Sequence, residues 1–170
     1  MFENLPAIQK DGPVKIIVGL DFSGSIASDP FFRQMYRFYL SQLTGQLMYK
    51  DVVLKAFGWD TCLFKELSFD NKNILDLPLY SDHVFSSHYG RGGSNLEAVY
   101  EYNISSNFNA DCIINLTDGA VNYPEKIMED VNQNIIVVIN EYDYHNFNDN
   151  IRKSLKYIAN TQIVTATRYD

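Results

Sequence analysis

The feature that most constrains the fold is a run of apolar, mostly β-branched residues near the start of the chain. Residues 14–20 read VKIIVGL, without the alternation of apolar and polar residues that marks a half-exposed strand. A continuous run of this kind predicts a β-strand that is buried on both faces. Such strands are typical of parallel sheets that carry helices on each side.

Three later segments carry the same signal and predict further strands. They are residues 111–116 (DCIINL), residues 134–139 (NIIVVI) and, as a short final strand, residues 162–166 (QIVTA). Between the first strand and these lie two strand-like runs, residues 51–57 and 61–67, joined by a short turn. Their spacing predicts a β-hairpin.

Helices are predicted between the strands. The first spans residues 29–48, where Asp29 can cap the helix and Pro30 suits its first turn. The second begins at Ser94, because Ser94 and Glu97 match the S-x-x-E capping box. Residues 149–159 have a helical pattern, whereas residues 68–93 predict a mixed loop region with at most a short helix.

This order of elements predicts an α/β fold. We expect a Rossmann-like, mostly parallel sheet with one antiparallel edge hairpin and helices on both faces. The length of 170 residues fits a single domain. Its core is expected at residues 13–140, followed by a C-terminal helix and a short strand within residues 149–166.

Composition narrows the classes of partner and the compartment. The net charge of −7 argues against nucleic acid or an anionic membrane as the main partner. No apolar run approaches the ~18 residues of a membrane-spanning helix, and no signal peptide is evident at the N-terminus. Cys62 and Cys112 lie in separate apolar runs and are expected to be buried free thiols. A cytoplasmic location is expected, or a virion if the chain is phage-encoded.

Three polar clusters each follow a predicted strand or open a predicted helix. They are Asp21-Phe22-Ser23-Gly24-Ser25, Gly92-Gly93-Ser94 and Thr117-Asp118-Gly119. In open parallel sheets, sites form at the carboxyl ends of the strands, so these clusters are expected to meet in one crevice. Their carboxylates and hydroxyls are hard oxygen donors that suit Mg²⁺, with Mn²⁺ or Ca²⁺ as alternatives.

The same clusters carry a resemblance to a known family. The D-x-S-x-S pattern of residues 21–25 and the T-D-G of residues 117–119 resemble the metal ion-dependent adhesion site of von Willebrand factor A (VWA) domains. Ser94 stands where that family usually has a threonine. The segments around Gly92 and Asp118 resemble bacterial and phage VWA-like domains most. The resemblance implies a metal site made of Asp21, Ser23, Ser25, Ser94 and Asp118.

The resemblance also implies a function and a role for each residue. Ser23, Ser25 and Ser94 are expected to be the direct ligands, while Asp21 and Asp118 orient waters and hydroxyls. A carboxylate from a protein partner would complete the coordination shell. The chain would then be a non-enzymatic protein–protein interaction module. It would act as an adaptor or subunit of a larger assembly, either beside a ring-forming ATPase or in a phage virion.

Two alternatives stay open at the level of sequence. One is a metal-dependent phosphoester hydrolase, although position 23 is Ser where an aspartate-nucleophile phosphatase needs a second Asp. The sequence also has no G-x-S-x-G, phosphate-binding loop or H-E-x-x-H pattern. The other alternative is a structural assembly subunit with a vestigial metal site, in which Ser94 serves only as a helix cap.

Overall fold

The protein is described by a computed structural model that covers residues 12–87 and 92–118 and the backbone of residues 134–140 and 161–166. Its six strands form one sheet in the order β3-β2-β1-β4-β5-β6. The strands are β1 Val14–Asp21, β2 Val52–Trp59, β3 Leu63–Asp70, β4 Cys112–Leu116, β5 Asn134–Asn140 and β6 Thr161–Ala166. All neighbours are parallel except β2 and β3, which form the antiparallel edge hairpin. The predicted fold class is confirmed.

Helices connect the strands of the first half of the chain. They are α1 Gly24–Ala27, α2 Pro30–Leu47, a 3₁₀-helix Ile74–Leu79, α3 Tyr80–Phe85 and α4 Glu97–Ser105. Helix α2 begins as the sequence predicts, because the Asp29 carboxylate accepts the backbone N–H of Phe31 at 2.9 Å and Pro30 occupies the first turn. Among the described helices, none is long and apolar enough to cross a membrane.

The two faces of β1 pack against different helices. Ile16, Val18 and Leu20 belong to the main hydrophobic cluster, which α2 and the 3₁₀-helix cover. Because side chains alternate along a strand, Ile17, Gly19 and Asp21 point to the opposite face. On that face lies α4, whose Tyr100 hydroxyl accepts a hydrogen bond from the Asn115 side chain of β4.

The structure differs from the sequence prediction between residues 68 and 93. The 3₁₀-helix runs directly into α3, so residues 74–85 are helical rather than mostly loop. Ile74, Leu77 and Val84 are buried against the core at helical spacing. Pro78 lies in the middle of this segment and hides the helical pattern in the sequence, since proline is disfavoured inside helices.

The predicted start of the second helix is wrong. Helix α4 begins at Glu97 after Leu96, and no side chain of its N-cap residue closes the first turn. The Asn95 side chain instead accepts the Glu97 N–H at 3.2 Å, so the capping box of Ser94 and Glu97 does not form. An asparagine two residues before an N–H competes well for that role.

One of the two cysteine predictions also fails. Cys112 is buried in β4, whereas Cys62 is exposed in the turn between β2 and β3, and both are free thiols. Cys62 lies in the turn, beyond the last strand pair of the hairpin, Trp59 and Leu63. The predicted strands at residues 134–139 and 162–166 are present as β5 and β6. The predicted helix at residues 149–159 lies outside the described residues.

Candidate functional site

The first part of the site is the buried carboxylate at the end of β1. Asp21 is fully buried, and its Oδ1 accepts the backbone N–H of Ser23 at 2.8 Å. Its Oδ2 accepts the hydroxyl of Thr117, just beyond β4, at 2.6 Å. The Tyr36 hydroxyl donates to the Asp21 backbone carbonyl at 2.9 Å. Asp21 therefore ties the loop after β1 to the end of β4, with both carboxylate oxygens engaged.

Burial makes the charged form of Asp21 costly. Desolvation raises the pKa of Asp21 to about 7, and the nearby negative charge of Asp118 adds to the rise. The hydrogen bonds from Thr117 and Ser23 oppose the shift without cancelling it. A cation placed beside this carboxylate would favour its ionised form and lower the pKa again. The site is thus electrostatically suited to a positive ligand.

The second part is a chain of hydroxyls that reaches a second carboxylate. Ser25 donates its hydroxyl proton to Oδ2 of Asp118 at 2.7 Å, which joins residues far apart in the sequence. The hydroxyl oxygens of Ser23 and Ser25 lie 3.3 Å apart. Because Ser25 gives its proton to Asp118, its oxygen keeps lone pairs that a metal ion can use.

The third part is the loop that carries Ser94. Its residue Gly92 accepts a hydrogen bond from the Gly24 N–H at 3.3 Å, so it lies against the loop of Ser23 and Ser25. Ser94 is half-buried, and among the described residues its side chain makes no hydrogen bond with the other predicted site residues. The structure thus links Asp21, Ser23, Ser25 and Asp118 directly and places Ser94 on the neighbouring loop.

Asp60, in the hairpin turn, holds the Ser94 loop in place. Its carboxylate accepts the Gly92 N–H at 3.1 Å, and its backbone carbonyl accepts the Asn95 N–H at 2.6 Å. The same carboxylate accepts the Cys62 N–H at 3.2 Å within its own turn. Asp60 therefore fixes the backbone on both sides of Ser94.

Sequence reasoning did not identify Asp60 as a site residue, and it placed Thr117 in a predicted polar cluster without giving it a role. The sequence could have predicted the contact of Thr117 with Asp21. Thr117 follows Asn115 by two residues, so strand alternation places it on the face that Asp21 shares. The contact of Asp60 with Gly92 could not be predicted in this way, since it joins segments that only the folded sheet brings together.

The donor set fits a hard divalent cation. Neighbouring ligands of an octahedral Mg²⁺ lie about 2.9 Å apart when each bond is about 2.0–2.1 Å. The hydroxyl oxygens of Ser23 and Ser25, two of the predicted ligands, lie 3.3 Å apart, which is close to that value. Within the described residues, no group of three or more His, Cys, Asp or Glu side chains is arranged to hold a metal ion. A site here would rely on two carboxylates and on neutral hydroxyls.

Comparison with known proteins identifies solved structures that have a similar fold. Neither the protein-family models nor the curated proteins give a match to this chain. Among solved structures, BatB from Bacteroides thetaiotaomicron, described as a conserved hypothetical protein, is 14% identical with a TM-score of 0.64. The match covers 92% of this chain and 91% of BatB.

Two longer proteins contain a similar unit. A von Willebrand factor type A protein from Catenulispora acidiphila is 12% identical with a TM-score of 0.58, over 95% of this chain and 40% of that one. The pilus adhesin SpaC from Lactobacillus rhamnosus is 14% identical with a TM-score of 0.60, over 93% of this chain and 28% of SpaC. At these identities the likeness shows the fold alone, and that fold is VWA-like.

Proposed function

We propose that this chain is a non-enzymatic protein-interaction module that binds a carboxylate of its partner through a divalent cation, with Mg²⁺ as the favoured ion. Ser23, Ser25 and Ser94 would be the direct ligands. Asp21 and Asp118 would hold the hydroxyls and bound waters in place. When bound, the ion supplies a Lewis-acidic point that attracts one further oxygen from outside.

The observation that carries the proposal is the hydrogen-bonded chain from Ser23 through Ser25 to Asp118. It gathers two hydroxyls and a carboxylate, from loops distant in sequence, at the carboxyl end of β1 and β4. Ser25 is exposed there, whereas the Asp118 carboxylate behind it is buried. A partner can therefore reach the hydroxyl side, while the charge that retains the cation is shielded from water.

Hydrogen bonding within the site favours binding over catalysis. Asp21 is engaged by Ser23 and Thr117, and Asp118 by Ser25. A general base or nucleophile must instead direct an oxygen toward the substrate. The adhesin SpaC, which shares the fold, is a further reason to favour adhesion.

Net charge sharpens the expected partner chemistry. The chain carries a formal charge of −7, so an acidic partner surface is repelled unless a cation intervenes. Binding to an Asp or Glu of the partner should therefore depend strongly on the metal. We place the chain in a multiprotein assembly, either beside a ring-forming ATPase or within a phage virion.

The test is affinity capture on the immobilised full chain from host lysate, run in parallel with Mg²⁺ and with EDTA. We expect a specific protein to be retained with Mg²⁺ and lost with EDTA. Ser25→Ala should lose that protein, whereas Ser41→Ala should retain it, because Ser41 is an exposed serine whose hydroxyl donates to the Arg37 carbonyl within α2. Equal retention with Mg²⁺ and EDTA would refute metal-bridged binding and favour the structural subunit.

A second arm tests the hydrolase alternative. Generic phosphoesters are offered to the chain with Mg²⁺ or Mn²⁺, and Asp118→Asn serves as the inactive comparison. We expect no turnover above that of the variant. Metal-dependent turnover that Asp118→Asn abolishes would replace the binding function with a catalytic one.

A further inference from the structure

Two polar side chains converge over Gly19 in the middle of β1. A Cβ atom at Gly19 would lie 2.3 Å from Oδ1 of Asn115 and 3.0 Å from Nε1 of Trp59. Both neighbours belong to strands that flank β1, because Gly19 pairs with Asn115 and Asp21 pairs with Trp59. Glycine leaves room here for the amide oxygen and the indole edge, and a larger residue would force the Asn115 side chain to shift.

The two converging atoms are complementary, yet neither is satisfied. Asn115 and Trp59 are fully buried. Within the part of the chain that the structure describes, Trp59 Nε1 and Asn115 Oδ1 have no hydrogen-bond partner. One is a donor and the other an acceptor, and buried groups of either kind are rarely left unpaired in folded proteins.

The orientation of the Asn115 amide is fixed from its other side. Its Nδ2 donates to the Tyr100 hydroxyl at 3.4 Å, which leaves Oδ1 on the side of Gly19 and Trp59. An acceptor thus faces a donor across the glycine. Both atoms lie within 3.0 Å of one point. Asn115 Oδ1 and Trp59 Nε1 lie 2.3 and 3.0 Å from that point, so they are at most 5.3 Å apart. Two hydrogen bonds of about 2.8 Å through one water can bridge such a span.

We propose that one internal water molecule binds between the Trp59 indole N–H and the Asn115 carbonyl oxygen, over Gly19. The water accepts from Trp59 and donates to Asn115, which satisfies both buried groups at once. Trp59 lies beside Asp21 in the sheet, and Asn115 lies two residues before Thr117, which binds Asp21. The proposed water therefore lies next to the residues that surround Asp21. Its presence does not depend on the cation.

The chain offers a clean test, because Trp59 is its only tryptophan and gives one indole resonance in a ¹⁵N spectrum. Water-selective NOE and ROE experiments on the full chain measure transfer from water to the indole proton. We expect a cross-peak at the water frequency whose NOE and ROE signs are those of a long-lived bound water. If the native protein shows no such cross-peak, the proposal is overturned, and a direct Trp59–Asn115 contact is indicated.

The Tyr100 hydroxyl is the main source of a false signal, because its proton exchanges with water. Tyr100→Phe removes that proton and keeps the ring, so the cross-peak should persist. The same hydroxyl also orients the Asn115 amide, so loss of the cross-peak in a folded variant has two possible causes. In that case, or if the variant does not fold, a high-resolution crystal structure of the native chain decides. A water bonded to both atoms supports the proposal, and a direct hydrogen bond between them contradicts it.

Discussion

The two sides of the candidate site are built differently. On one side, Asp21, Ser23, Ser25 and Asp118 form one hydrogen-bonded group, which we call the Asp21 corner. On the other, residues 92–95 form the Ser94 loop, which is held through its backbone by Asp60 and Gly24. Hydrogen bonds within the corner hold its ligand atoms in place. The Ser94 loop is instead positioned by Asp60, in the hairpin turn. The corner should therefore carry most of the affinity for the cation.

The largest effect is expected at Asp21. Asp21→Ala removes the acceptor for both the Ser23 N–H and the Thr117 hydroxyl, so the loop after β1 loses its connection to β4. We expect Mg²⁺ affinity to fall about 100-fold, as for other groups that orient metal ligands. Calorimetric titration measures the affinity, and circular dichroism checks that the variant remains folded. Asp76→Ala, at an exposed helix position, is the control and should change nothing.

A smaller loss is expected at Ser25. Ser25→Ala deletes a neutral ligand that a water molecule can partly replace, so we expect an affinity loss of about tenfold. The exposed Ser41→Ala is the matched control. A Ser25→Ala variant that binds Mg²⁺ as tightly as the native chain would remove Ser25 from the ligand set.

The raised pKa of Asp21 predicts opposite pH trends with and without metal. In the metal-free protein the folded pKa, about 7, exceeds the ordinary value of 3.8, so the folded state holds its proton more tightly. Stability from this group is complete below pH 4 and falls as the pH rises towards 7. Metal needs the ionised form, so Mg²⁺ affinity should rise about tenfold between pH 6 and pH 8.

Both trends are measured on the same samples. Thermal unfolding in EDTA gives the first and calorimetry with Mg²⁺ the second. Asp21→Asn should flatten the dependence of stability on pH. If that variant keeps the native slope between pH 4 and pH 7, another group is responsible and the electrostatic account of the corner is wrong.

The smallest effects are expected in the Ser94 loop. Ser94→Ala should weaken Mg²⁺ binding about fivefold, and Asp60→Asn about threefold, because Asp60 acts only by positioning the loop. Ser94→Thr should bind at least as tightly as the native chain, since a β-branched side chain has fewer rotamers to lose.

A double-mutant cycle separates positioning from general destabilisation. If Asp60 acts through Ser94, the double variant should lose no more affinity than Ser94→Ala alone. Fully additive losses would show that Asp60 affects the site by another route. A Ser94→Ala variant with an affinity loss as large as that of Asp21→Ala would reverse the comparison between the loop and the corner.

The fold was largely readable from the sequence because its strongest signals are local. Continuous apolar runs rich in β-branched residues define β1, β4 and β5, and Asp29 with Pro30 marks the start of α2. The position of the Asp21 corner follows from the same logic, since parallel strands bring their carboxyl ends to one edge.

What the sequence did not show depends on competition or on long-range contact. Ser94 matched a capping pattern, but Asn95 lies in a better position to accept the Glu97 N–H. The helical segment at residues 74–85 is disguised by Pro78. The tether from Asp60 to Gly92 exists only once the hairpin is folded against β1. Local sequence patterns indicate neither competition between neighbouring side chains nor contacts between distant segments.

The central claim is that the Asp21 corner binds a divalent cation. Its most direct test is a calorimetric titration of the metal-free chain with Mg²⁺ at pH 8, beside Asp118→Asn and the exposed control Asp76→Asn. We predict one saturable site in the native chain and in Asp76→Asn, and an affinity at least about tenfold lower in Asp118→Asn, which removes the charge that accepts the Ser25 hydroxyl. No binding by the native chain, or equal binding by all three proteins, would contradict the account.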